Sequence, residues 1–350
     1  MNDNPLAADL DHILARTSGL LSELRGQHLF LTGGTGLFGC WLLEIVTWAN
    51  ARLGLNATVT VLTRNPDAFR RKSPRLASDP AVRLLAGDVR SFEYPDGEFP
   101  FVIHAATEAS ARLNQSDPLL MLDTIVEGTR RTLDFAVACK ARKLLFTSSG
   151  AVYGRQPPEL TNVPEDYAGA PDTMNPGSAY GEGKRTAELL CAAYCREYRL
   201  PVTIARFFAM VGPYLPLDIH YAMGNFIRDG LRGGPIIVEG DGTPYRSYLY
   251  MADVMIWLWT ILFRGEICHP YNVGSEEPVT IGDLARTVAR LSGPDVKVGI
   301  SGRPIPGKPS ERYVPSTVAA RRTLRLEQTI GLEDAIRRTM SWHRSCSEAR

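Results

Sequence analysis

Thr32-Gly-Gly-Thr-Gly-Leu-Phe-Gly39 decides the fold. Its glycines at Gly33, Gly36 and Gly39 make a GxxGxxG spacing, and the flanking segments give that spacing its meaning. On the amino side, His28-Leu-Phe-Leu-Thr32 is short and apolar, as a buried strand reads. On the carboxyl side, Leu42 to Leu53 carries a helical pattern. In a strand–loop–helix unit, Gly33 permits the tight turn, Gly36 lets the backbone approach a pyrophosphate, and Gly39 lets the helix pack close to the strand. The helix N-terminus adds free N–H groups and a partial positive charge. The segment therefore reads as a dinucleotide site lined by Gly33, Thr35, Gly36, Leu37, Phe38 and Gly39.

Outward from this loop, strand-like and helix-like runs alternate. Ala57 to Thr63, Val82 to Ala86, Phe101 to His104, Lys143 to Thr147 and Pro201 to Ala205 read as strands. Leu119 to Cys139 and Ala179 to Tyr198 read as helices. The succession predicts an α/β fold: a doubly wound parallel sheet of the Rossmann type, with helices on both faces. After Arg206 the pattern changes. Pro213, Pro216, Gly224, Gly230, Gly233, Gly234, Pro235, Gly240 and Gly242 read as breaks in a smaller C-terminal substrate-binding region. Tyr271 to Val273 reads as a last strand of the main sheet. The expected division is a helical extension over residues 1–27, a dinucleotide-binding domain over 28–208 with a return segment at about 249–275, a second domain from 209–248 and 276–342, and a tail at 343–350.

The bulk numbers restrict the function classes. A net charge of +1 over 350 residues gives no global case for nucleic acid or an acidic membrane. The six cysteines form no CxxC pair, so a zinc or redox centre has little support. The longest apolar run, Val254 to Phe263, is too short to span a bilayer, and residues 1–25 hold no export-length apolar stretch. A cytoplasmic enzyme without a metal is the expectation.

Two clusters carry the chemistry. The second strand ends on Thr63-Arg64, with Arg70, Arg71 and Lys72 nearby, where an NAD-preferring site usually has an acid. A guanidinium pairs with a 2′-phosphate, so NADP(H) is favoured, while NAD(H) stays open. Tyr180-Gly-Glu-Gly-Lys184 puts a phenol and an ammonium on one helix face. The ammonium is expected to lower the phenol's pKa and suit it to proton exchange with a carbinol or carbonyl oxygen. Thr147 to Gly154 closes the preceding strand with two serines, at the strand end where such sheets bind ligands. A pure nucleotide sensor would need none of this proton chemistry.

From about His28 to Trp342 these motifs resemble the extended short-chain dehydrogenase/reductase family, in its nucleotide-sugar epimerase, dehydratase and reductase branch. The resemblance implies that Asp88 and Val89 stand on the adenine side and that Ala105, Ala106 and Thr107 line the nicotinamide ribose. It implies that Ser149, four before Tyr153, is the catalytic hydroxyl, and that Tyr180 and Lys184 are the catalytic pair. Arg246, Asn225 and Arg312 would hold the diphosphate of a nucleotide-diphosphate sugar. A homodimer through the helices at 119–139 and 179–198 is implied as well. Some positions depart from the family. Gly150 and Ala151 stand where dehydratases carry an acid–base pair and decarboxylases usually a glutamate. Ala209 and Ile125 replace two usual asparagines, which bears on substrate contact and the proton relay. The expected activity is hydride transfer at C4 of a 4-keto-6-deoxy sugar nucleotide, as a reductase, with a 4-epimerase as the alternative.

Overall fold

The computed structural model describes residues 4–107, 111–218 and 221–348. Its strands are β1 His28–Thr32, β2 Thr58–Thr63, β3 Val82–Ala86, β4 Phe101–His104, β5 Lys143–Ser149, β6 Val202–Phe207, β7 Met210–Val211, β8 Ile236–Val238, β9 Tyr245–Arg246, β10 Leu249–Tyr250, β11 Pro270–Val273, β12 Val279–Thr280, β13 Val298–Ile300 and β14 Arg312–Tyr313. Its helices are α1 Ala7–Leu21, α2 Leu37–Leu53, α3 Pro66–Lys72, α4 Pro74–Ala77, α5 Ala111–Ser116, α6 Pro118–Ala138, α7 Ala179–Tyr198, α8 Ala222–Leu231, α9 Met251–Arg264, α10 Ile281–Ser292, α11 Val318–Leu324 and α12 Leu332–Glu348.

Seven strands form one sheet in the order β11-β6-β5-β4-β1-β2-β3, and every pairing is parallel. A parallel sheet covered on both faces needs apolar residues on both sides of each strand. β1 meets this with Leu29, Phe30 and Leu31 all buried. Leu29 and Leu31 belong to the core shared with α2 and α9, and Phe30 to the core shared with α6 and α7. The apolar run at 254–263 lies in α9, whose residues are buried almost all round, as a fully enclosed core helix requires. Amphipathic α1 packs over α9 and α2, burying Leu10, Ile13, Leu14 and Leu21.

The strand order reverses direction at β1, between β4 and β2, and the carboxyl ends of these strands open on the glycine loop. That is the ligand crevice of an open α/β sheet. The smaller sheets β12-β9-β14, β13-β8 and β10-β7 come from segments that follow β6.

Two sequence expectations need correction. Gly224 and Gly230 do not break the chain; both lie inside α8. A Cβ on Gly224 would sit 2.7 Å from the Pro216 carbonyl oxygen, and one on Gly230 would sit 2.1 Å from the Ser292 hydroxyl, so these glycines serve close packing. Residues 343–348, read as tail, continue α12 to Glu348, and residues 349–350 lie outside the described residues.

Candidate active site

The glycine loop has the geometry of a phosphate cradle. Gly33 has φ +72°, and a Cβ there would lie 2.4 Å from the Ala105 carbonyl oxygen. A Cβ on Gly39 would lie 2.2 Å from the Gly34 backbone, so α2 runs against its own loop. Gly36 differs: its nearest neighbour would be the Gly33 carbonyl oxygen at 3.5 Å, so its front is open. Gly36 is also the N-cap of α2 and has no side chain to cap it, leaving the first N–H groups of Leu37 and Phe38 to an anion. A dinucleotide's pyrophosphate fits this cradle, and any side chain at Gly36 would fill it.

The loop is pinned from beneath. The Thr32 hydroxyl accepts from the Ala106 N–H at 3.1 Å and shares a 2.7 Å hydrogen bond with His104 Nδ1. His104 Nε2 pairs with the Thr129 hydroxyl at 3.0 Å. Burial pushes the His104 pKa down to about 3, so it is a neutral bridge between the ends of β1 and β4 at any ordinary pH.

On the adenosine side, Thr63 is buried and its hydroxyl accepts from Asn65 N–H at 3.3 Å. Asp88 accepts from Arg90 Nε and Nη2 at 2.9 and 3.0 Å. Arg90 holds the carboxyl below its usual range, and Arg64 adds to the effect through space. The grip of Arg90 was not read from the sequence. Lys72, on α3, donates to the Thr35 carbonyl at 3.0 Å and puts an ammonium on the loop's rim. Val89 packs on the bare face of Gly128.

The reaction centre forms where β5 meets α7. Ser149 ends β5, and its hydroxyl accepts from the Ala151 N–H at 3.1 Å. Asn114 on α5 accepts from the Tyr180 N–H at 3.0 Å and so fixes the first turn of α7. Lys184 follows one turn later, only 2% exposed. Its ammonium donates to the Thr107 hydroxyl at 2.9 Å and the Thr147 carbonyl at 2.7 Å, over the Phe146 ring. Burial lowers the Lys184 pKa to about 7, opposed by Glu188 one turn on.

The expectation that Lys184 lowers the Tyr180 pKa does not hold in the protein alone. Burial raises Tyr180 to about 12, and its hydrogen bond with Ser149 is what opposes the rise. The physical reason is that the Lys184 donors are turned to Thr107 and Thr147, while the same burial weakens its charge.

Two further phenols went unread. Tyr313 on β14 fills the notch at Gly150: a Cβ there would meet the Tyr313 hydroxyl at 2.7 Å and Phe208 Cζ at 2.6 Å. The Tyr313 hydroxyl donates to the Phe207 carbonyl at 3.5 Å, and Tyr221 acts electrostatically on both Tyr180 and Tyr313. Behind the site, Arg206 pairs with Glu188 at 2.7 Å, and Glu188 accepts from the Ser148 hydroxyl at 2.5 Å. Glu188 lies two turns after Tyr180 on α7, which was a readable signal.

The three expected diphosphate contacts are placed differently. Arg246 stands beside Tyr313 in the β9–β14 register and influences that phenol, so it faces the reaction centre. Arg312 is the adjacent residue on β14 and projects to the opposite face of the strand, stacked 4.4 Å over the Tyr245 ring. Asn225, on α8, accepts from Arg228 Nη1 at 3.2 Å. The structure brings Ser149, Tyr180, Tyr313 and Arg246 together; it does not bring Arg312 to the same face.

Comparison with known proteins places the chain in a family. Residues 29–274 match the NAD dependent epimerase/dehydratase family. UDP-glucuronic acid decarboxylase 5 of Arabidopsis thaliana is 32% identical over 310 residues, covering 89% of this chain and 87% of the relative. UDP-glucuronic acid decarboxylase 1 of Xenopus tropicalis is 28% identical, covering 93% and 74%. Among solved structures, a UDP-glucose 4-epimerase from Thermotoga maritima with UDP-glucose superposes with a TM-score of 0.77 at 20% identity, covering 92% of this chain and 100% of that one. A dTDP-glucose 4,6-dehydratase from Streptomyces venezuelae with NAD bound does so with a TM-score of 0.77 at 23% identity, covering 92% and 98%. At these identities the superpositions speak to the fold.

Proposed function

Because this chain belongs to the NAD dependent epimerase/dehydratase family of enzymes, we propose that it transfers a hydride between NADP(H) and C4 of a nucleotide-linked sugar, as a reductase of a 4-keto-6-deoxy sugar. One observation carries the reading. Around Ser149 and Tyr180, positions 150 and 151 hold glycine and alanine, and the space at Gly150 is taken by Tyr313 and Phe208. Eliminating water would need an acid and a base there, and the resemblance implies a glutamate there in decarboxylases; moving one hydride and one proton needs neither. This argues against carrying over the decarboxylase activity in the names of the relatives.

The cofactor, when bound, supplies the hydride. Gly33 to Gly39 would hold its pyrophosphate, Asp88 and Val89 its adenine side, and Ala105 to Thr107 with Lys184 its nicotinamide ribose. Tyr180 gives its proton to the C4 oxygen, and Ser149 orients that oxygen. Arg246, on the face of β9 that it shares with Tyr313, would hold the diphosphate, without Arg312. Arg246→Ala is expected to raise KM for the sugar nucleotide about tenfold or more, with cofactor affinity unchanged, since one charge-assisted hydrogen bond is worth about 1.5–3 kcal/mol. Equal loss for both ligands in steady-state kinetics and cofactor titration would remove Arg246 from the site.

The NADP(H) preference rests on Arg64 and Lys72 at the adenosine side and loop rim, with no acid at Thr63-Arg64. Arg64→Asp should move the NADP(H)/NAD(H) preference toward NAD(H) by about tenfold to a hundredfold. Unchanged Kd values for both cofactors would refute this. The second reading, a 4-epimerase holding NAD⁺, uses the same residues and fits the family as a whole. Identifying the dinucleotide that co-purifies, and its redox state, separates them: bound NAD⁺ supports the epimerase, and a site that takes up NADPH supports the reductase.

We also propose a homodimer through α6 and α7. Leu119 on α6 and Leu189 and Tyr198 on α7 are 72%, 70% and 51% exposed, and pairing with a second copy would cover them. Light scattering at micromolar concentration should give the dimer mass; a monomer would refute it.

A further inference from the structure

The first turn of a helix has N–H groups that its own backbone cannot satisfy, and the N-cap side chain usually takes one of them. In α7 that residue is Ser178, whose side chain makes no cap hydrogen bond. The Tyr180 N–H is taken from outside the helix. Asn114, on α5 and 66 residues earlier, accepts it through Oδ1 at 3.0 Å, and donates through Nδ2 to the Gly177 carbonyl at 2.6 Å. A backbone N–H only donates and a carbonyl only accepts, so the two partners fix which way the amide points. One side chain thus ties together the residues on either side of the N-cap.

The other side of the turn is wedged. A Cβ on Gly181 would lie 2.8 Å from both the Ala151 carbonyl oxygen and Pro171 Cγ, so the backbone beside Tyr180 runs hard against the segment that follows Ser149. A second tie reaches α7 one turn later, where Thr107, just past β4, accepts from Lys184 at 2.9 Å. Asn114 and Thr107 therefore meet α7 at both members of the Tyr180–Lys184 pair, one through the backbone and one through the side chain.

We propose that Asn114 is a positioning residue for the reaction: by cross-linking the Gly177 carbonyl to the Tyr180 N–H, its amide sets where the Tyr180 phenol stands. The proposal rests on the reading of Tyr180 as the proton carrier of a reductase. Asn114 touches no ligand in that reading and moves no proton. Its effect falls on the rate of the chemical step and not on affinity, because a misplacement of about 1 Å in a reacting group costs up to about a hundredfold.

Two variants test it. Asn114→Leu keeps a similar volume and removes both bonds. Asn114→Asp keeps the shape: when protonated it can replace both bonds, its carbonyl accepting from Tyr180 and its O–H donating to Gly177, whereas its carboxylate would face the Gly177 carbonyl with no proton between them. That bond to the neutral form raises the new carboxyl above its usual range of about 4. Without ligands, in protein carrying ¹⁵N-tyrosine, the Tyr180 amide proton should exchange about tenfold or more faster in Asn114→Leu than in wild type, while that of Tyr271 in β11 keeps its rate. An unchanged Tyr180 rate overturns the proposal. With NADPH and a 4-keto sugar nucleotide, single-turnover hydride transfer in Asn114→Leu should slow about tenfold or more, with Kd for both ligands within about threefold of wild type. For Asn114→Asp, the ratio of its rate to that of wild type should fall about tenfold between pH 5 and pH 8. Lys184, with its pKa lowered to about 7, titrates in both proteins and cancels in the ratio. A ratio independent of pH, or losses that appear in Kd and not in rate, overturn the proposal. A wild-type protein that reduces no sugar nucleotide would sink the reductase reading and leave the amide exchange to decide on Asn114.

Discussion

Tyr180→Phe is expected to bind cofactor and sugar nucleotide as wild type does and to lose turnover by a factor of about 10²–10⁴ or more. The substitution keeps the ring and its place in the first turn of α7, which Asn114 fixes through the backbone. It removes the oxygen proposed to hand a proton to the substrate. Neighbouring groups offer little replacement. Gly150 and Ala151 carry no exchangeable proton, and Lys184 is engaged by Thr107 and Thr147. Burial raises Tyr180 to about 12, so the phenol is protonated throughout the neutral range. Reduction, which needs the acid form, should therefore not fall with pH through loss of the Tyr180 proton below about pH 10. Single-turnover rates for wild type and variant provide the check; a variant rate within about threefold of wild type would remove Tyr180 from proton transfer.

Lys184→Met should separate activity from stability. Activity is expected to fall by about tenfold or more, because the ammonium proposed to hold the nicotinamide ribose is lost. Stability is expected to move the other way. In the folded protein the Lys184 pKa is lowered from 10.5 to about 7 by burial. The unfolded chain therefore binds this proton more tightly than the native one, and native stability rises with pH between those values. Below about pH 7 the full burial cost applies, with an upper bound of about 5 kcal/mol. Toward pH 10 it disappears. Methionine avoids the charge but loses the bonds to Thr107 and Thr147, at about 1 kcal/mol each. The variant should thus exceed wild type in denaturant resistance at pH 6.5, and the gap should close by pH 9.5. A gap that is absent at pH 6.5, or constant with pH, would contradict the buried-ammonium account.

Much of this molecule was legible because its local signals agree with its tertiary structure. β1, β3 and β4 begin and end where apolar runs do, and α7 spans Ala179–Tyr198 as its periodicity requires. The glycine loop was readable because Gly33 and Gly39 answer to steric demands that few other residues could meet. Features that depend on distant partners were not. α8 was hidden because Gly224 and Gly230 look like breaks until Pro216 and Ser292 are seen against them. Tyr313 was hidden because the space at Gly150 is defined by a residue 163 positions later in the chain, a distance no local pattern spans. The direction of the Tyr180 pKa failed for a related reason. Spacing on a helix puts Lys184 on the same face, but it does not say that Thr107 and Thr147 take its donors.

The proposed reaction is net hydride transfer from NADPH to a 4-keto sugar nucleotide with Tyr180 as acid. The direct measurement mixes the protein, in excess, with stoichiometric NADPH and a 4-keto-6-deoxy sugar nucleotide, and follows nicotinamide absorbance and the sugar product in one turnover. The expected result is loss of one equivalent of reduced nicotinamide and appearance of the C4 alcohol in wild type, and neither in Tyr180→Phe. Unchanged NADPH, together with interconversion of C4 epimers on bound NAD⁺, would contradict it.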